Sequence, residues 1–142
     1  MVFESIADNL DPFDTDTLSD IYVKDLDPEA PTCDGEPATI VGTAGPDVLH
    51  GTSGSDVVVA LGGSDIVEGR GGDDLTCAGP GLDVVIGGAG DDTLRGGGGA
   101  DQINGGAGND VLGGGPGFDI LRGGAGHDTC SGGSGSRCWH GL

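Results

Sequence analysis

Residues 87–131 read GGAGDDTLR, GGGGADQIN, GGAGNDVLG, GGPGFDILR and GGAGHDTCS, five renderings of one nine-residue unit. With the aspartate as position six, this stretch supplies Asp92, Asp101, Asp110, Asp119 and Asp128, and the same step runs back through Asp83, Asp74, Asp65, Asp56 and Asp47. Position four is equally regular, being Gly45, Gly54, Gly63, Gly72, Gly81, Gly90, Gly99, Gly108, Gly117 and Gly126. Each unit offers a glycine-rich turn of six residues and a strand of three, such as Thr93-Leu94-Arg95. Neither half is stable alone. Short tandem units become stable by stacking on their neighbours, so that one inward column forms a continuous core. That column, position eight, is Leu49, Val58, Val67, Thr76, Val85, Leu94, Ile103, Leu112, Leu121 and Cys130.

The pattern fits G-G-x-G-x-D-x-U-x, where U is a large apolar residue, and from Gly42 to Ser131 the chain resembles the RTX calcium-binding repeat family. The resemblance implies an all-β fold, a right-handed parallel β-roll in which two repeats complete one turn and repeats n and n+2 are direct neighbours. It also implies calcium held between stacked turns by the position-six aspartates and by backbone carbonyls. Glycines at positions one, two and four are expected to tolerate positive φ and to let those carbonyls point inward. At position two, Gly88, Gly97 and Gly106 join the position-four column as candidate metal-loop residues. One edge would stack Asp47, Asp65, Asp83, Asp101 and Asp119, the other Asp56, Asp74, Asp92, Asp110 and Asp128. Four gaps on each edge set an upper limit of about eight calcium ions. Calcium takes six to eight oxygens at about 2.3–2.6 Å in flexible geometry, whereas magnesium prefers a tighter octahedron and its own waters.

The composition agrees with a metal-dependent fold. The 142 residues include 33 glycines and only 4% aromatic side chains, too little to build an ordinary packed core. A formal charge of −19 excludes nucleic acid as an electrostatic partner and calls for cations. Lys24, Arg70, Arg95, Arg122 and Arg137 are too few and too scattered to supply them or to form a polybasic membrane patch. No apolar run approaches a membrane span, and MVFESIADNL lacks the basic start and apolar middle of a signal peptide. An export signal is therefore expected elsewhere, in a removed leader or a longer parent protein.

Three segments are expected along the chain: residues 1–32, the repeat domain at 33–131, and a cap at 132–142. The first has apolar clusters from Phe3 to Leu10 and Ile21 to Leu26 around an acidic turn, read as two short strands and a loop. Its Val-Phe-Glu-Ser-x-Ala-x-Asn-Leu start and Asp-Ile-Tyr-Val-Lys-Asp-Leu end resemble a blade edge of TolB-like β-propellers. Asp14, Asp16 and Asp20 do not make an EF-hand, because Ser19 and Asp25 stand where glycine and glutamate are needed. Pro28, Pro31 and Pro37 mark a linker, after which Ala38 to Val41 form the end of a degenerate repeat without an aspartate. The first three repeats open GTA, GTS and ALG, so tighter metal binding is expected from Asp92 to Asp128 than from Asp47 to Asp65. At the far end Arg137 takes the aspartate's place and Trp139 the inward place, closing the ladder.

Cys33, Cys77, Cys130 and Cys138 lack zinc-site spacing and suit an oxidising exterior. Positions seven and nine point outward, and Val57, Val59, Leu75 and Cys77 there form an apolar patch. The amino-terminal segment is expected to fold back over it, with Cys33 joined to Cys77 and Cys130 to Cys138. A self-associating patch is the rival, giving a dimer in place of a monomer. His50, His127 and His140 occupy unrelated repeat positions, and Asp73 and Asp91, at position five, are expected to face solvent. No nucleophile elbow, zinc-protease motif or phosphate loop is present, and a thin roll should offer no pocket for a paired-carboxylate hydrolase. Two readings follow: a secreted, non-catalytic calcium-binding module, or the non-catalytic secretion or adhesion tail of a larger exported enzyme or adhesin.

Overall fold

A strand of three residues can bury only its middle side chain, so the core of such a chain must be a single column repeated on two facing sheets. The computed structural model has this architecture; it describes residues 31–133 and 135–139, and the readings for residues 1–30 lie outside the described residues. All regular structure among the described residues is β. One six-stranded sheet holds β4 (Val48–His50), β6 (Ile66–Gly71), β8 (Val84–Ala89), β10 (Gln102–Ala107), β12 (Ile120–Ala125) and β14 (Arg137–Trp139) in that order. The other holds β3 (Ile40–Val41), β5 (Val57–Val59), β7 (Leu75–Cys77), β9 (Thr93–Arg95), β11 (Val111–Gly115) and β13 (Thr129–Gly132). Both ladders are parallel, and pairs such as Ile103↔Leu121 and Leu94↔Leu112 lie eighteen residues apart. The chain is therefore a β-solenoid in which two repeats complete one coil.

The inward column runs through the middle of this solenoid. Leu49, Val58, Val67, Val85, Leu94, Ile103, Leu112 and Leu121 are buried in one cluster with Ile40, Ala60 and Ala78, and Cys130 packs against its end. Ile40 pairs with Val58, so the aspartate-free repeat does supply a strand to the head of the stack. Thr76 is the polar member of the column, fully buried between Val58 and Leu94 with no partner for its hydroxyl. An unsatisfied buried hydroxyl costs roughly 1–3 kcal/mol. Thr76→Val should accordingly raise the thermal midpoint of the folded chain, as calorimetry would show, and a lowered midpoint would contradict the packing.

Pro31 and Pro37, two of the prolines expected to mark a linker, frame a hairpin instead. β1 (Thr32–Cys33) and β2 (Glu36–Pro37) pair antiparallel around Asp34 and Gly35, whose φ values of 51° and 91° suit the two-residue turn that Asp-Gly favours. This hairpin covers the outward patch: Cys33, Ala38, Val41 and Val59 are buried together, with Val57, Leu61, Leu75 and Cys77 packed against them. The Cys33–Cys77 disulfide staples it down, with Cα atoms 5.7 Å apart. Asp34 also takes a 2.7 Å ion pair from Arg95. Both expected disulfides are present, and the short hairpin is the cover seen over the patch among the described residues.

The last coil departs from the expected register. Ile120 pairs with Arg137, Leu121 with Cys138 and Arg122 with Trp139, a step of seventeen residues in place of eighteen. A slip of one residue turns each side chain to the opposite face. Cys138 thus takes the inward position, where it bonds to Cys130 across the two sheets, and Trp139 is 55% exposed. The ladder ends in a disulfide rather than in a buried indole.

Candidate metal centre

The three glycine columns of the turns serve three different physical needs. Position one does not have positive φ, contrary to expectation. A β-carbon at Gly69 would overlap Asp74 Oδ2 and sit 2.6 Å from the carbonyl oxygen of Gly87. The need there is space, and alanine is accommodated at Ala60 and Ala78, both fully buried. Position two needs positive φ from the third repeat onward, and Leu61 (φ 76°) and Arg70 (φ 84°) adopt it despite their side chains. Position four needs both: Gly99 has φ 119°, and its missing β-carbon would overlap the carbonyl oxygen of Gly81 in the coil before. From Gly63 onward glycine occupies that column because stacked backbones leave nothing else room, whereas at Gly45 and Gly54 the space is open and φ is not positive.

These turns bring the predicted aspartates together as two ladders. Asp47, Asp65, Asp83, Asp101 and Asp119 stack on one edge, and each Oδ1 from Asp65 onward accepts the backbone N–H of the aspartate eighteen residues earlier, at 2.8 to 2.9 Å. Asp56, Asp74, Asp92, Asp110 and Asp128 repeat the arrangement on the other edge. The position-six aspartates from Asp47 to Asp119 are all buried. The second oxygen tells more: Oδ2 of Asp65, Asp74, Asp83, Asp92, Asp101, Asp110 and Asp128 is buried without a hydrogen-bond partner. Buried carboxylates are normally paired or metal-bound, because an unpaired buried charge is strongly unfavourable.

Burial is also what perturbs their protonation. It pushes Asp65, Asp92 and Asp101 up to about 6 and Asp74 up to about 7, from an ordinary value of 3.8. The accepted N–H bond opposes this, and neighbouring aspartates of the ladder add to it. Asp83 and Asp110 are raised for the same leading reason. Each ladder thus requires positive charge. The ion pairs found among the described residues, His50 with Glu68 and Arg95 with Asp34, do not reach it.

The donor set fits a hard cation. Rows of carboxylate oxygens lie beside backbone carbonyls, such as Gly87 O next to Asp74 Oδ2, and oxygen is the ligand type calcium takes. Among the described residues, the compact group of Cys33, Asp34 and Cys77 is closed by a disulfide and has no thiolate to offer. Asp73 and Asp91 are exposed, as expected, and form a separate outer ladder in which the N–H of Asp91 donates to Asp73 Oδ1 and that of Asn109 to Asp91 Oδ1. The surface is not wholly without concavity. A groove of about 590 Å³ runs over Arg95, Gly97, Gly113, Gly115 and Gly132, but its lining holds no pair of acid and base.

Three hydroxyls also belong to these turns and are not marked by the repeat. Thr43 donates to Asp47 Oδ2 from its N–H at 2.6 Å and lies 3.0 Å away through Oγ1. Thr52 does the same for Asp56 at 2.6 and 3.0 Å. In the shortened last coil Ser136 stands where an aspartate would, its Oγ accepting from the N–H of Asp119 and lying 2.9 Å from Asp119 Oδ2. The signal for the threonines was their departure from glycine at position two.

A parallel solenoid whose turns line up buried carboxylates with open oxygens is a repeat protein suited to hold metal ions between its coils. The family model described as RTX calcium-binding nonapeptide repeat (4 copies) matches residues 39–75, 78–112 and 114–136, and the chain belongs to that family. It is a solenoid of calcium-binding repeats. No curated protein matches the chain.

Proposed function

We propose that this chain is an exported, monomeric calcium-binding module that folds as calcium enters between its stacked turns, and that it has no catalytic role. The observation that carries this reading is the row of seven buried, unpartnered Oδ2 atoms on the two ladders. The position-six aspartates from Asp65 onward are the carboxylate ligands, and the turn backbone around the glycines of positions two and four supplies carbonyl oxygens. Calcium brings the positive charge that the ladders lack, so its binding free energy becomes folding free energy. Two disulfides favour an oxidising, extracellular setting. Magnesium competes poorly because a site built from several fixed carbonyls and carboxylates cannot match its tight octahedron. Equilibrium dialysis of the whole chain against equal concentrations of the two ions tests this. Several calcium ions and essentially no magnesium should be retained; a chain that retains no calcium, or both ions equally, would refute the proposal.

A further inference from the structure

We infer that the two amino-terminal turns are closed by threonine in place of metal, so that calcium occupies six gaps, three on each edge, and not the eight that the spacing permits. This rests on the calcium-binding role proposed above. The direction in which each Oδ2 looks decides which gap it serves. At Gly42 on one edge, and at Gly51, Gly69, Gly87 and Gly105 on the other, the space left by the missing β-carbon is shared by Oδ2 of the same turn's aspartate and the position-one carbonyl oxygen of the turn eighteen residues on. Each Oδ2 therefore opens into the gap below its own turn. The unpartnered atoms of Asp65, Asp83 and Asp101 face the gaps to Asp83, Asp101 and Asp119, and those of Asp74, Asp92 and Asp110 the gaps to Asp92, Asp110 and Asp128.

The gaps below Asp47 and Asp56 differ in two independent ways. Their Oδ2 atoms are already satisfied by Thr43 and Thr52, through both the backbone N–H and the hydroxyl. The same hydroxyls accept the N–H of Gly45 at 3.2 Å and Gly54 at 3.0 Å. The backbone differs as well. Positive φ at positions two and four begins at Leu61 and Gly63, and Thr43, Gly45, Thr52 and Gly54 do not have it. The peptide planes that would present carbonyls are thus turned differently in these two turns. Asp119 Oδ2, facing Ser136 in the last coil, is closed in a similar way. Hydroxyls close both ladders at the amino-terminal end and the Asp119 ladder at the other, whereas Asp128 Oδ2 stays unpartnered; the amino-terminal coil is a metal-free cap.

Calcium stoichiometry of the whole chain, measured by equilibrium dialysis with folding followed by circular dichroism, tests the assignment. Wild type should hold about six ions, and the Asp47→Asn, Asp56→Asn double variant should hold the same number. Thr43→Gly with Thr52→Gly, which removes the hydroxyls and frees position two for positive φ, should raise the count to about eight, whereas Thr43→Ser with Thr52→Ser should leave it at six. Eight ions in wild type, fewer in the Asp47, Asp56 variant than in wild type, or no gain in the glycine variant would overturn the inference. Eight in wild type would leave the calcium role standing, whereas no bound calcium would overturn both.

Discussion

In the presence of a chelator, the folding equilibrium should shift toward the roll by at least about tenfold when the pH falls from 7.5 to 5, the reverse of ordinary acid denaturation. Asp65, Asp92 and Asp101 rise to about 6 in the roll and Asp74 to about 7, whereas an unfolded aspartate titrates near 3.8. Between those values the metal-free roll binds more protons than the unfolded chain. Stability then falls as pH rises through the window, being greatest below about 4 and lost above about 7. One carboxyl raised to about 6 contributes roughly tenfold between pH 7.5 and 5, so the figure holds even if most of the ladder is discounted. Protons neutralise the buried carboxylates where calcium is withheld. Calcium-driven folding should by contrast change little between pH 6 and 7.5, because the carboxylates are ionised both in the unfolded chain and in the calcium-loaded roll. Circular dichroism at the two pH values would decide the matter. Equal disorder in chelator at pH 5 and 7.5, or structure at pH 7.5 that acid removes, would contradict the ladder's charge state.

Gly99→Ala should raise the calcium concentration at the folding midpoint by at least about tenfold or abolish folding, whereas Gly96→Ala, three residues away, should shift it by less than about threefold. The two substitutions add the same methyl group. At Gly99 it meets φ 119° and overlaps the carbonyl oxygen of Gly81, an atom fixed by the coil beneath it. Such a backbone conformation costs an L residue about 1–3 kcal/mol before any steric overlap is counted, and 1.4 kcal/mol is already tenfold. At Gly96 the nearest atoms belong to the Asp101 side chain and not to a stacked backbone, and Ala60 and Ala78, which hold the same place relative to Asp65 and Asp83, show that position one accepts a methyl group. Parallel calcium titrations of the two variants test the distinction. Equal midpoints would mean that position four is not limited by backbone stacking.

The parts of this fold legible in the sequence are those fixed by the nine-residue step. Asp47 to Asp128, the position-four glycines and the inward column fall where they do because parallel strands eighteen residues apart repeat one geometry, and repetition makes spacing visible. Features that break the repeat were not legible. Nothing in GGSGSRCWH shows that the last coil is one residue short; the slip brings Cys138 to the inward place, where it bonds to Cys130. The hairpin at Asp34 and Gly35 was hidden by the prolines around it, although an Asp-Gly pair between extended residues is itself a turn signal. The three glycine columns looked alike because composition does not distinguish a need for space from a need for positive φ. Thr43 and Thr52 looked like weakened metal turns. They make hydrogen bonds to Asp47 and Asp56 that the later turns lack, and the break falls after the second repeat, since the third, opened by Ala60 and Leu61, already has the positive φ of the later turns.

That calcium supplies the free energy of folding is tested most directly by circular dichroism of the whole chain at pH 7.5, first in a strong chelator and then with millimolar calcium or magnesium. The chelated chain should give the spectrum of a disordered polypeptide, calcium should produce β-structure in a cooperative transition because neighbouring turns share ligands, and magnesium should leave the chain disordered. A β-rich spectrum that the chelator does not change would contradict the account.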